Sequence, residues 1–301
     1  MAKYTHINLS LKTFLGFGLA MVFWTSSWAQ TVSLESSPGF FLQAEFSQPV
    51  EDNKQVAVLV QHGFLTTNQF HTIRSMVSAI NDQGIATLSP NMSYGISGRK
   101  DSLKCDSLHT HTLEDNRAEI GAWIDWLQAQ GYQHVVLLGH SSGSQDLLFS
   151  QATEPHPAVE LLILTSVFYF NGQDIGTKTS DLSRARNMML TGSPRPEHFS
   201  FLFCKETYYA TPQSFLSYHQ LTRQQNLSHL QFVGVPVHAI MGTGDEILQQ
   251  TGFEWLDELA AVGVKLHLVE GANHFFSSMH EFDLQDRLVQ ILNSYQSDVV
   301  P

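Results

Sequence analysis

The residues Gly139-His140-Ser141-Ser142-Gly143 set a serine between two glycines in the spacing G-x-S-x-G. An apolar run over residues 134–139 comes directly before it, and a helix-like stretch over 142–151 follows. A serine at such a strand-to-helix turn occupies a strained backbone position that lifts its Oγ above the sheet edge. The glycines let strand and helix approach where a β-carbon would clash. The helix N-terminus then offers free N–H groups and its positive dipole end to an oxyanion. The chemistry implied is attack by Ser141 on a carbonyl carbon. The neighbouring hydroxyl, Ser142, has His140 and Ser144 where Ser141 has glycines, so it does not fit the pattern.

A serine hydroxyl is a weak nucleophile near neutral pH and needs a base within hydrogen-bond reach, which in turn needs an orienting acid. Fifteen histidines make the residue type uninformative, so position decides. His274 sits in Gly271-Ala272-Asn273-His274, a loop directly after the last predicted core strand. That is the strand edge where the serine turn also lies and where ligands collect in open α/β sheets. His267 lies within the strand and His280 falls further along the chain; both are worse placed. For the acid, Asp245 ends another predicted strand through Gly242-Thr243-Gly244-Asp245. Its competitors are the adjacent Glu246 and Asp174, which follows the strand-like run over 160–167.

These residues need a scaffold that brings distant strand ends together. Short apolar runs over 55–61, 85–89, 134–139, 160–167, 235–241 and 264–269 alternate with amphipathic stretches over 68–81, 113–130, 142–151, 251–261 and 283–295. That alternation predicts a mostly parallel central sheet with helices on both faces. Between about residues 170 and 232 it breaks down; Pro194, Pro196 and Pro212 interrupt the segment, and aromatics from Phe199 to Tyr218 collect there. An insertion of this kind reads either as a lid over a pocket or as rings that pack on one another. One domain over residues 30–301 with a lid insertion fits better than two domains.

Composition narrows the function. Of 301 residues, 43% are hydrophobic and 15% charged, enough apolar content for a large core. Sixteen basic against 28 acidic residues give a net charge of −12, and an acidic surface repels phosphodiester backbones, so no nucleic-acid partner is expected. Lys3 and Lys12 precede an apolar run over 14–24 and a Ser-x-Ala end, the pattern of a signal peptide over 1–29 cut after Ala29. The run is shorter than the ~20 residues of a membrane span, so no stable span is expected after cleavage; the alternative is an uncleaved anchor. An exported protein meets an oxidising compartment, which permits a Cys105–Cys204 bridge; the alternative is two unpaired thiols. Cys105, His109 and His111 form C-x3-H-x-H near Glu114, but no fourth ligand has a persuasive spacing, so no metal site is expected. Asn91-Met92-Ser93 and Asn226-Leu227-Ser228 fit the glycosylation sequon and read more simply as loop residues.

Taken together, His62-Gly63 after the first strong strand, the Gly139–Gly143 turn, Gly244-Asp245 and His274 resemble an α/β-hydrolase with an inserted lid, over roughly residues 50–297. The chain order serine, acid, histidine is that family's order. The resemblance implies hydrolysis through an acyl-serine intermediate without metal or organic cofactor. It also implies that the backbone N–H groups of Phe64 and Ser142 bind the oxyanion. The loop reads His62-Gly63-Phe64-Leu65 and lacks the glycine run of many lipases and esterases. The expected substrate is a small-molecule or lipid-like carboxylic ester. The alternatives are a peptidase or amidase on the same residues, or a non-catalytic ligand-binding member of the fold.

Overall fold

A computed structural model describes residues 29–49, 55–170 and 175–299. The described chain begins with a hairpin of β1 (Ala29–Ser37) and β2 (Phe40–Ser47). Then β3 (Val56–Gln61), α1 (His71–Asp82), β4 (Ala86–Asn91), α2 (Leu113–Ala129), β5 (His134–His140), α3 (Ser142–Thr153) and β6 (Val159–Thr165) follow. The segment after β6 holds α4 (Thr179–Leu190), β7 (Glu197–Phe199), β8 (Tyr208–Ala210), α5 (Pro212–Tyr218) and α6 (Arg223–Phe232). The core resumes with β9 (Val237–Gly242), α7 (Glu246–Thr251), α8 (Glu254–Ala261), β10 (Lys265–Val269) and α9 (His280–Val299).

Eight strands form one sheet in the order β1-β2-β4-β3-β5-β6-β9-β10. From β4 to β10 all neighbours pair parallel, and the β1–β2 hairpin adds two antiparallel strands at one edge. The mostly parallel sheet expected from the sequence is therefore present. Its central strands are apolar throughout because successive side chains serve opposite faces. On β3, Ala57 and Leu59 join Ile120, Trp123, Leu147 and Trp255 of α2, α3 and α8. Val56, Val58 and Val60 instead join Ile73 and Met76 of α1 and Leu284 and Leu288 of α9.

Three local features differ from the sequence reading. The β1–β2 hairpin carries no continuous apolar run, since most of β1 is exposed at the sheet edge. The helix expected over 251–261 is α8, which begins at Glu254, and a further short helix, α7, precedes it, separated where Gly252 adopts φ 87°. Pro212 does not interrupt the insertion but starts α5 behind the Thr211 cap, where its missing N–H costs nothing.

The aromatic residues of that segment pack on one another: Phe199 stacks on Phe215 at 4.3 Å, and Phe201 meets Phe64, Phe170 and Tyr208 at 4.9–5.6 Å. A Cys105–Cys204 disulfide ties the loop before α2 to it. Among the described residues no helix is long and apolar enough to cross a membrane. The expected signal peptide lies outside the described residues except for Ala29, the first residue of β1. Both sequon asparagines are buried. Asn91 accepts the Asn68 N–H, and Asn226 donates to the Thr222 carbonyl, so neither offers its amide to solvent.

Candidate active site

Ser141 stands between β5 and α3 with φ 56° and ψ −125°, a left-handed backbone that a non-glycine residue adopts only where its surroundings impose it. Its own N–H donates to Thr165 O (2.9 Å), and its carbonyl accepts the Ser144 N–H (3.0 Å). The flanking glycines are there for room. A β-carbon on Gly143 would lie 2.5 Å from the His62 carbonyl oxygen, and one on Gly139 would lie 2.6 Å from Ser144 Cα. The strand, the helix and the loop after β3 therefore meet at distances that no side chain permits.

Asp245 and His274 arrive from the next strand ends on the same edge. The Gly244 N–H donates to Ala272 O (2.9 Å), and Thr243 Oγ1 accepts the Gly271 N–H (2.8 Å). A β-carbon on Gly244 would lie 2.6 Å from the Gly271 carbonyl. The two turns are thus locked together, with Asp245 on one and His274 on the other. Asp245 Oδ1 caps α7 by accepting the Ile247 N–H (2.8 Å), while its Oδ2 accepts the His274 Nδ1–H (2.7 Å). Nε2 of the same ring accepts the Ser141 hydroxyl proton at 2.8 Å. Asp245 is 1% exposed, Ser141 8% and His274 9%, so the line of hydrogen bonds runs inside the protein, with its acid end the most deeply buried.

The three residues singled out in the sequence are brought together. Of the competing acids, Glu246 is the exposed first residue of α7, and Asp174 lies outside the described residues. His267 faces His238 on the neighbouring strand at 3.1 Å, and His280 pairs with Asp283. Phe64 and Ser142 flank the serine from two sides, since Gly63 lies against Ser141 (3.2 Å for a β-carbon there) and Ser142 opens α3. Of the C-x3-H-x-H group, Cys105 is held in the disulfide, His109 donates to Lys104 O, and Glu114 accepts from Gln220. Among the described residues no cluster of three or more such side chains is placed to hold a metal ion.

Two supporting roles were not legible in the sequence. Ser166, at the end of β6 with φ 50°, donates from Oγ to the His274 carbonyl (2.8 Å) and from N–H to Ile240 O (3.0 Å). It fixes the backbone that carries the imidazole, and its only sequence signal is its place at a strand end. His62 holds the loop after β3. Its Nδ1–H donates to Gly63 O, and its Nε2 accepts from the Met92 N–H (3.1 Å) and the Arg99 guanidinium (3.0 Å). Burial, helped by the Arg99 charge, pushes the His62 pKa down to about 3, so the ring stays neutral and keeps an acceptor nitrogen. His140 is also kept neutral by burial and then by the nearby His274; its Nδ1–H donates to Thr165 Oγ1, which donates to Gly139 O.

No curated protein sequence matches the chain. Solved structures do share its fold. Est1E from Butyrivibrio proteoclasticus superposes with a TM-score of 0.62 at 18% identity, over 89% of this chain and 98% of that one. The esterase domain of a Rhodothermus marinus protein gives 0.60 at 15% identity, over 91% and 100%. An esterase of Pyrococcus furiosus gives 0.57 at 14% identity, over 90% and 92%. At these identities the likeness concerns architecture, and a fold hosts many chemistries. Residues 57–289, from the second residue of β3 into α9, match the family model described as the alpha/beta hydrolase family, and the chain belongs to that family.

Proposed function

We propose that this protein is an exported serine hydrolase that cleaves carboxylic esters through an acyl-serine intermediate. The observation that carries this reading is the continuous hydrogen-bonded line from Asp245 through His274 to Ser141 Oγ, at 2.7 and 2.8 Å. In the proposed reaction His274 takes the hydroxyl proton as Ser141 attacks the ester carbonyl. Asp245 holds the imidazole in the tautomer with Nδ1 protonated and stabilises the imidazolium that forms. The backbone N–H groups of Phe64 and Ser142 receive the negative charge that develops on the carbonyl oxygen; one such donor is typically worth about 3 kcal/mol. His274 then protonates the leaving alcohol, and water repeats the sequence to free the acid. Export is supported by the basic-apolar leader and by the Cys105–Cys204 bridge, a bond that persists in oxidising compartments.

The test is turnover of p-nitrophenyl acyl esters by the mature protein and by Ser141→Ala. The expected loss in kcat is about 10⁵-fold, with the fold intact by circular dichroism. A fluorophosphonate probe is expected to label the wild-type protein at Ser141 and to leave the variant unlabelled. Wild-type rates in the variant would end the proposal.

A further inference from the structure

The loop after β3, which places Phe64 beside Ser141, is held by residues from outside it. The Gly63 carbonyl and the Phe64 N–H are the two ends of one planar peptide unit, so whatever fixes the one aims the other. Three donors converge on Gly63 O: His62 Nδ1–H (2.8 Å), the Thr66 hydroxyl (3.0 Å) and the Thr66 N–H (3.3 Å). Directly past Phe64, Leu65 adopts φ 57°, and its carbonyl accepts the Leu103 N–H (2.9 Å). The direction of the Phe64 N–H is therefore set by His62 and Thr66.

Both of those residues are bonded by Arg99. Its Nη1 donates to the Thr66 carbonyl (3.0 Å) and to Asp101 O (2.7 Å), its Nη2 to His62 Nε2 (3.0 Å), and its Nε to Met92 O. The side chain comes from the loop after β4, is buried, and lies against the Tyr94 ring at 4.8 Å. Among the described residues no carboxylate hydrogen-bonds it. Burying a guanidinium without an ion partner is costly, and a planar fork suits acceptors that lie in fixed, different directions. Two of its acceptors here stand on either side of the Phe64 peptide. The bond to His62 also decides a proton. Arginine can only donate, and so can the Met92 N–H, which reaches the same Nε2 at 3.1 Å. Nε2 is then the acceptor nitrogen, and the neutral ring carries its proton on Nδ1, pointing to Gly63 O. In the other tautomer Nε2–H would face two donors, and Nδ1 would meet Gly63 O lone pair against lone pair.

We infer that Arg99 is a positioning residue for ester cleavage: by holding Thr66 and fixing the tautomer of His62, it keeps the Gly63–Phe64 peptide turned so that its N–H, and not its carbonyl, meets the substrate oxygen. This catalytic consequence rests on the proposed reaction; the control of the His62 tautomer does not. Without Arg99 the peptide is free to turn over, which withdraws the donor and sets a carbonyl oxygen where negative charge develops.

Arg99→Met removes the fork, and Arg99→Lys keeps the charge without it. Arg99→Met is expected to lower kcat for p-nitrophenyl acyl esters about 10²-fold, the typical effect of losing one oxyanion donor, with KM within about threefold of wild type. Arg99→Lys is expected to lose at least about tenfold, because a single ammonium cannot span acceptors that lie in different directions. Imidazole nitrogen NMR shifts read the tautomer directly: His62 is expected to be Nδ1-protonated in the wild type and a mixture of both forms in Arg99→Met. Leu288→Ala, in the core under α9, serves as a variant of lowered melting temperature and is expected to keep kcat within about twofold. Thr66→Val, which removes one donor to Gly63 O, replaces Arg99→Met should that variant fail to fold, with kcat expected to fall about fivefold. An Nε2-protonated His62 in the wild type, undiminished kcat in the folded Arg99→Met or in Thr66→Val, or a loss as large in Leu288→Ala would each overturn the inference. Absence of ester turnover in the wild type, with the tautomer still shifting on Arg99→Met, would overturn the proposed reaction and leave the control of His62 by Arg99 standing.

Discussion

The rim that carries Ser141, Asp245 and His274 and the segment between β6 and β9 beside it are held together by different means. At the rim, backbone meets backbone. Gly139, Gly143 and Gly244 sit where any β-carbon would fall 2.6 Å or less from a neighbouring backbone atom, and hydrogen bonds between the turns after β9 and β10 fix Asp245 against His274. In the inserted segment the contacts are between side chains. Phe170, Phe199, Phe201, Phe215 and Tyr218 pack as a cluster of rings, and the Cys105–Cys204 bridge anchors them to the loop before α2. A buried polar seam joins the two regions at α3: Asn116 donates both to Asp146 Oδ1 (3.2 Å) and to the Tyr218 hydroxyl (2.9 Å). Geometry fixed by backbone contact tolerates almost no substitution. Geometry fixed by side-chain packing tolerates many and loosens by degrees.

That contrast can be broken first at its stiffest point. Gly143→Ala places a methyl group against the carbonyls of Gln61 and His62, with no flexible side chain to move aside. The expected cost is more than about 4 kcal/mol of stability, read as a collapse of the thermal melting temperature or as failure to accumulate folded protein. Melting within a few degrees of wild type would show that the rim yields more than its contacts imply.

Removing the bridge with Cys105→Ala and Cys204→Ala tests the softer region. With its ends 99 residues apart, the bond contributes about 4.7 kcal/mol in the chain-entropy account, by restricting the unfolded chain. Amide exchange is expected to quicken across the segment between β6 and β9 while β3, β5 and β6 keep their protection. Uniform loss of protection would mean that the two regions unfold as one.

The smallest effect belongs to the seam. Burial raises the Asp146 pKa to about 7 from an ordinary value near 3.8, so the folded protein holds a proton there that the unfolded chain releases at lower pH. Its contribution to stability is therefore greatest below about pH 4 and is lost as the pH rises through 7. Buried His62, whose pKa is pushed down to about 3, acts in the opposite sense below pH 6.5, so only a difference between variants isolates Asp146. Asp146→Asn is expected to melt higher than wild type at pH 8 and to lose that advantage at pH 5. The same offset at both pH values would contradict the raised pKa.

The reach of sequence reasoning follows the same division. β3, β5 and β6 are buried on both faces and so appear as unbroken apolar runs, and the bounds read for them fall within one or two residues of the strands. The turn at Ser141 was legible because its two glycines answer a local steric demand. The β1–β2 hairpin was not, since an edge pair exposed on one side carries no such run. Nor was the order of α4, α5 and α6, whose aromatic residues acquire their partners from elements distant in the chain. Ser166 and the buried seam at Asp146 escaped for the same reason: each is defined by what lies across from it.

By itself the sequence determined the central strands, the helices that alternate with them and the residues that stand at those strand ends, because these are set by periodicity and by the steric needs of neighbours in the chain. Only the tertiary structure decided that Asp245, rather than the exposed Glu246, meets His274. It alone decided that Cys105 bonds Cys204. Each of these is a relation between residues tens of positions apart, and such relations exist only once the sheet has set its strand order.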